Sequence, residues 1–115
     1  KRHCYETVQR VVDKADLKKP FDIAFQSRFG IDPWIKPNTT DIIEALPKKG
    51  IKNISVICPA FTFDCLETLE EIAIRNQEYF IDAGGESLTL IPALNDNDNW
   101  VNEFYNYIYQ KFARV

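Results

Sequence analysis

Residues 54–58, Ile-Ser-Val-Ile-Cys, constrain this chain more than any other stretch. The run is apolar and β-branched, so it reads as a strand with both faces covered, as in a parallel sheet between helices. The patterns around it alternate in the same sense. Tyr5, Val8, Val11, Val12 and Ala15 have helical spacing over His3 to Asp16. Phe21 to Phe25 (FDIAF) is mostly apolar and predicts a buried strand. A loop with Gly30, Pro33 and Pro37 follows, and the capping residues of NTTD open a helix from Asn38 to Leu46. Asp64 to Ala83 reads as one long helix, stopped by Gly84-Gly85. Leu88 to Ile91 is a third strand. Trp100 to Phe112 is a closing amphipathic helix, with Val101, Phe104, Tyr105 and Ile108 on one face.

Strands alternating with helices imply an α/β domain built on parallel crossovers. Ligands of such sheets sit beyond the carboxyl ends of the strands. Any site is therefore expected from three loops, Gln26 to Pro37, Pro59 to Phe63 and Pro92 to Asn99.

Bulk properties exclude several function classes. The 115 residues suit one domain, and 45% hydrophobic content is globular. Net charge is −3 and no Lys/Arg run exceeds two residues, which disfavours a nucleic-acid partner. No apolar segment nears the ~20 residues of a membrane span, and no signal peptide is evident. The chain opens at Lys1 inside a helical pattern, which reads as a piece of a longer protein. Cys4, Cys58 and Cys65 include no Cys-x-x-Cys pair. Three such residues argue against a disulfide framework or a metal site made of cysteines alone, and fit reduced thiols in the cytosol.

Two stretches carry candidate chemistry. Asp64 to Ile72, Asp-Cys-Leu-Glu-Thr-Leu-Glu-Glu-Ile, puts four carboxylates and a thiol into nine residues at a helix start. Asp64 and Glu67 have capping-box spacing, and acids there suit the helix dipole by ~0.3–1 kcal/mol each. Glu67 and Glu71 stack at four-residue spacing, which costs ~0.2–0.5 kcal/mol between like charges. They lie beside a stripe of Leu66, Leu69, Ala73 and Phe80, so capping and a cation or proton path both remain open. Cys65, in the first turn, is either a soft metal ligand or a small buried residue. The second stretch, FQSRFGIDPWIKP from Phe25 to Pro37, combines an amide, a hydroxyl, a guanidinium and a tryptophan. It suits a flat, carboxylate-bearing ligand, or a loop pinned by Trp34 under two prolines.

Taken together, FQSRFGIDPWIKP, CPAFTFDCLETLEEI, AGGESL and IPALND resemble ferrochelatase, in order and in spacing, over nearly the whole chain. The CP-x-F-x-x-DCLETLEEI form resembles the proteobacterial branch. The resemblance is to the C-terminal portion, and implies a Rossmann-like three-layer sandwich, a parallel sheet flanked by helices. That unit would be one of two similar domains around a porphyrin cleft. It implies insertion of ferrous iron into protoporphyrin to form haem. Glu67 matches the catalytic glutamate, opposite a histidine of the absent N-terminal half that the lone His3 does not match. Glu71 matches the next step of an acidic ladder whose third position is Arg75 here. Cys65 stands where many members have histidine, which makes it an auxiliary ligand at best. Gln26, Ser27, Arg28, Trp34, Phe61 and Asp64 match positions facing the porphyrin.

The resemblance further implies no permanently bound cofactor, iron as a substrate, and no iron–sulfur cluster, since the chain ends at Val115 without a cysteine-bearing extension. It implies a cytoplasmic enzyme, with peripheral association with the inner membrane left open. Two alternatives stand beside it. One is a chelatase for another tetrapyrrole or metal, such as coproporphyrin with iron or sirohydrochlorin with cobalt. The other is a non-catalytic domain that binds a tetrapyrrole or a partner. Made alone, such a half exposes the face that meets its partner domain and is expected to dimerise or be marginally soluble. A concentration-independent monomer in analytical ultracentrifugation would contradict that.

Overall fold

The computed structural model describes residues 1–27, 30, 31 and 33–113. Helix α1 (Arg2–Lys14) leads into the loop that carries Gln26 and Trp34. Helix α2 (Thr39–Ala45) follows, capped by the Asn38 side chain, which accepts from the amides of Thr40 and Asp41. A single tight turn at Pro47–Lys49 delivers the chain to β1 (Asn53–Val56). The crossover to β2 (Ser87–Leu90) runs through a short α3 (Leu66–Leu69), a π-helical segment (Glu71–Asn76) and α4 (Gln77–Asp82). Helix α5 (Asp98–Phe112) closes the chain. Strands β1 and β2 pair in parallel, with Ile54 opposite Leu88 and Val56 opposite Leu90.

The fold class is thus the expected α/β crossover, with three local departures. FDIAF is not a strand. Phe21 and Asp22 are exposed, and only Phe25 pairs, giving its amide to Pro37 and accepting from Thr39 in a lone parallel bridge to Asn38. Its backbone partner is the loop before α2 and not the edge of β1, so no ladder propagates. Nor is residues 54–58 covered on both faces. Ile54 and Val56 are half-buried, whereas Ser55 and Ile57 are exposed, so one face alone packs. That face meets Ile43 of α2, Ile72 of the π segment, Phe80 of α4 and Leu88 of β2, the buried apolar core. Helices α1 and α5 bury no side chain, and the Val101, Phe104, Tyr105 and Ile108 face of α5 is exposed.

The third departure is the long helix, which begins at Leu66 and is interrupted. Arg75 bonds to the Glu70 carbonyl five residues back at 2.9 Å, the mark of a π turn. Asn76 explains it. Its carboxamide is 1% exposed, donates to the Glu71 carbonyl at 2.7 Å, and accepts from the Thr40 hydroxyl at 3.1 Å. A polar side chain held by α2 thereby takes up a carbonyl inside the helical ladder. The extra residue per turn also changes which side chains face inward. Thr68, Ile72, Asn76 and Phe80 are buried, while Leu66 and Leu69 of the expected stripe are exposed.

Gly84 and Gly85 end α4 as expected. Gly84, at φ 97°, donates to Ile81 and Gly85 donates to Phe80, the two bonds of a Schellman closure. Among the described residues no helix is long and apolar enough to cross a membrane.

Candidate functional site

Gln26 and Ser27 leave the Phe25 bridge and meet the acidic helix start at once. The Gln26 carboxamide donates to the main-chain carbonyl of Glu67 at 2.7 Å and accepts from the Cys58 thiol at 3.3 Å. Its own carbonyl receives the Trp34 indole N–H at 3.1 Å. Ser27 sits in the left-handed region, φ 58°, and turns both its donors onto one carboxylate. Its amide reaches Glu71 Oε1 at 3.0 Å and its hydroxyl Oε2 at 3.2 Å. A serine that caps both oxygens of a carboxylate fixes that group in place. Arg28 lies outside the described residues.

The helix start is built differently from its expected capping box. The N-cap is Cys65, one residue later than Asp64. The Cys65 sulfur accepts from the Thr68 amide, and the Thr68 hydroxyl accepts from the Cys65 amide at 3.0 Å. Asp64 cannot cap because its carboxylate is spent elsewhere. Oδ1 accepts from the Thr68 hydroxyl at 2.9 Å, Oδ2 accepts from the Asn95 amide side chain at 2.8 Å, and the Ala93 N–H lies 3.3 Å from both. Asn95 returns the bond, its Oδ1 accepting from the Asp64 amide at 2.9 Å. These donors, the Asn95 side chain foremost, hold Asp64 below the usual carboxylate range. Folding therefore favours the ionised form. That contribution is present above the unfolded value and disappears as pH falls through the lowered one.

Glu67 follows two residues after the cap and is half-buried. Its carboxyl is also held below the ordinary range, first by the Cys65 side chain and then by its own backbone amide. The group is thus an ionised carboxylate at neutral pH, with the exposed apolar side chains of Leu66 and Leu69 beside it in the chain. Cys58 is the converse case. Burial first, and then the neighbouring Asp64, Cys65 and Glu71, push its thiol up to about 11. It is a neutral donor to Gln26 and not a thiolate ligand. Arg75 pairs with Glu70 and not with Glu71, through Nη2 at 2.5 Å, and Glu70 holds its guanidinium above its ordinary value.

The three strand-end loops do converge. Gln26 ties the first to Cys58 and α3, and Asn95 ties the third to the second through Asp64 and through its own N–H to the Thr62 carbonyl at 2.9 Å. Phe61 is half-buried in the turn after β1, where its amide bonds the Cys58 carbonyl at 3.0 Å. Trp34 is partly exposed at the rim. His3 stands exposed on α1. Among the described residues no three His, Cys, Asp or Glu side chains gather closely enough to hold a metal ion. Glu67 is the acid left with room to act, as a proton acceptor or as one ligand of a cation completed from elsewhere. Thr68 and Asn95 escaped the sequence reading. The only trace of Asn95 is its place just beyond a strand end, at a position of φ 47° that asparagine tolerates.

The chain matches the ferrochelatase family over residues 1–111. It is 50% identical over 101 residues to the ferrochelatase of Actinobacillus pleuropneumoniae serotype 3, covering 87% of this chain and 32% of that protein. Against the ferrochelatase of Wigglesworthia glossinidia brevipalpis identity is 53% over 95 residues, 82% of this chain and 30% of the other. The Vibrio cholerae ferrochelatase is 46% identical over 102 residues, 86% and 31% of the two lengths. The chain spans about a third of the length of the curated relatives it matches. With a family match across nearly its whole length and relatives at about half identity, the chain belongs to the ferrochelatase family.

Proposed function

We propose that this chain is the C-terminal domain of a ferrochelatase and supplies the glutamate side of its metal-insertion cleft. The observation that carries the reading is the Glu67 carboxylate, ionised and half-buried where the three loops meet. Insertion of a divalent iron into protoporphyrin IX replaces two pyrrole N–H bonds by bonds to the metal and releases two protons. A carboxylate beside the macrocycle accepts such a proton or passes the ion inward. Glu67 has the charge for that work, and its backbone is fixed by Gln26. Glu71, clamped by Ser27, serves as a fixed negative charge along the ion's approach and not as a mobile ligand. Trp34 and Phe61 supply flat apolar surface for the macrocycle. The Cys65 side chain beside Glu67 helps keep that carboxyl low.

In this reading iron and porphyrin are substrates, no cofactor is resident, and an N-terminal half completes the cleft. The enzyme is a cytoplasmic lyase. The test is metal insertion by the full-length protein, followed by the absorbance change of the porphyrin under anaerobic conditions. Turnover of protoporphyrin with ferrous iron, well above coproporphyrin with iron or sirohydrochlorin with cobalt, is the expected result. A preference for either of the other pairs would reassign the substrate, and no insertion with any pair would reduce the domain to a binding module.

A further inference from the structure

We propose that Asn95 is a positioning residue for Glu67, acting through Asp64; the functional part of this rests on Glu67 being the proton acceptor. Helix α3 is the single turn Leu66–Leu69 ahead of the π segment, and the first amides of a helix have no partner within it, so its start depends on groups outside the helical ladder. What fixes that start lies outside the helix. Asn95 grips Asp64 at both ends, accepting from its amide at 2.9 Å and donating to its carboxylate at 2.8 Å. The same residue gives its N–H to the Thr62 carbonyl at 2.9 Å, from a left-handed backbone at φ 47°. The Asp64 carboxylate then reaches into α3 through the Thr68 hydroxyl at 2.9 Å. Asn95 thereby ties residues 62–64 to the loop beyond β2, and Glu67 is three residues further along the same rigid turn. A displacement of about 1 Å at a catalytic group costs on the order of 10²-fold in rate.

The pair also has a defined polarity. Asn95 must offer one acceptor and one donor, and Asp64 must offer its amide and a carboxylate oxygen. Asn95→Asp sets two carboxylates against each other. Exchanging the pair, Asp64→Asn with Asn95→Asp, rebuilds both bonds with the donor on the other side.

The experiment uses the full-length protein. Asn95→Asp alone is expected to lower kcat for iron insertion about 30- to 100-fold with porphyrin KM changed less than about threefold, because the macrocycle's surfaces are untouched. Amide hydrogen exchange is expected to quicken at Thr68 and Leu69, which bond the Cys65 carbonyl, and not at Ala83 at the end of α4. The exchanged pair is expected to restore slow exchange at Thr68 and Leu69. If Asn95→Asp loosens the whole chain, Asn95→Gly, which keeps the left-handed backbone and removes the side chain, gives the same local reading. Unchanged exchange at Thr68 and Leu69 in Asn95→Asp, or exchange that stays fast in the exchanged pair, overturns the proposal. Should the wild-type protein insert no metal, the reading of Glu67 falls, and the amide exchange alone decides whether Asn95 holds α3.

Discussion

Phe80→Ala is expected to destabilise the chain by about 3–5 kcal/mol, the range for deleting a fully buried aromatic side chain. The ring is wholly buried and is the largest member of a small core, with Ile43, Ile72 and Leu88 as its buried apolar partners. The cavity has little means of closing. On one side the chain itself presses against the ring, since a Cβ built on Gly85 would stand 2.3 Å from Phe80 Cε1. That closeness is why glycine stands there, and it leaves this side of the void without a side chain to fill it. A domain of this size has roughly 5–15 kcal/mol in total, so the loss consumes a fifth or more of it. Urea unfolding followed by circular dichroism should show a lower midpoint with an unchanged slope. If the Ala variant is unfolded in water, Phe80→Leu gives a smaller loss of the same sign. A change under about 1 kcal/mol in either, against the large-to-small costs of a packed site, would mean that this core does not hold the domain.

The elements that were legible in the sequence are those decided by local chemistry. Asn38 before α2 and Gly84-Gly85 after α4 act through their own backbones and nearest neighbours, and they perform as read. The errors lie where a distant group intervenes. FDIAF has strand composition, but its backbone partner is the loop at Pro37–Thr39. The helix-spaced stripe of Leu66 and Leu69 is displaced to the surface because Asn76, bonded to Thr40 of α2, widens the helix and turns Thr68 and Asn76 inward. Hydrophobic periodicity cannot detect a buried face that is half polar. The capping box slid from Asp64–Glu67 to Cys65–Thr68 because Asn95, some thirty residues away, had already claimed the Asp64 carboxylate. In the candidate site, the expectation that the loops of Gln26–Pro37, Pro59–Phe63 and Pro92–Asn99 lie together fits the bonds of Gln26 and Asn95, although FDIAF is no strand and the place of Cys58 among them was not foreseen. The division of labour between a clamped Glu71 and an open Glu67 was not foreseen either, because it depends on the backbone turn at Ser27.

That division makes Glu67 the point on which the account depends. Its carboxylate takes no part in the capping box of Cys65 and Thr68, and the bond it accepts from its own backbone amide is one that a glutamine oxygen can also accept. Gln26 holds the Glu67 carbonyl, which any substitution retains. Glu67→Gln therefore removes charge and basicity while leaving the architecture in place. The direct measurement is iron insertion into protoporphyrin by the full-length protein, wild type against Glu67→Gln, with thermal unfolding of both. The account predicts a fall in kcat of roughly 10²- to 10⁴-fold, the usual worth of a positioned acid–base group, with the melting temperature within about 2 °C, as for a substitution that removes no cap and no core contact. Undiminished turnover with a lowered melting temperature would contradict it, and would leave Glu67 as an acid that only steadies the start of a helix.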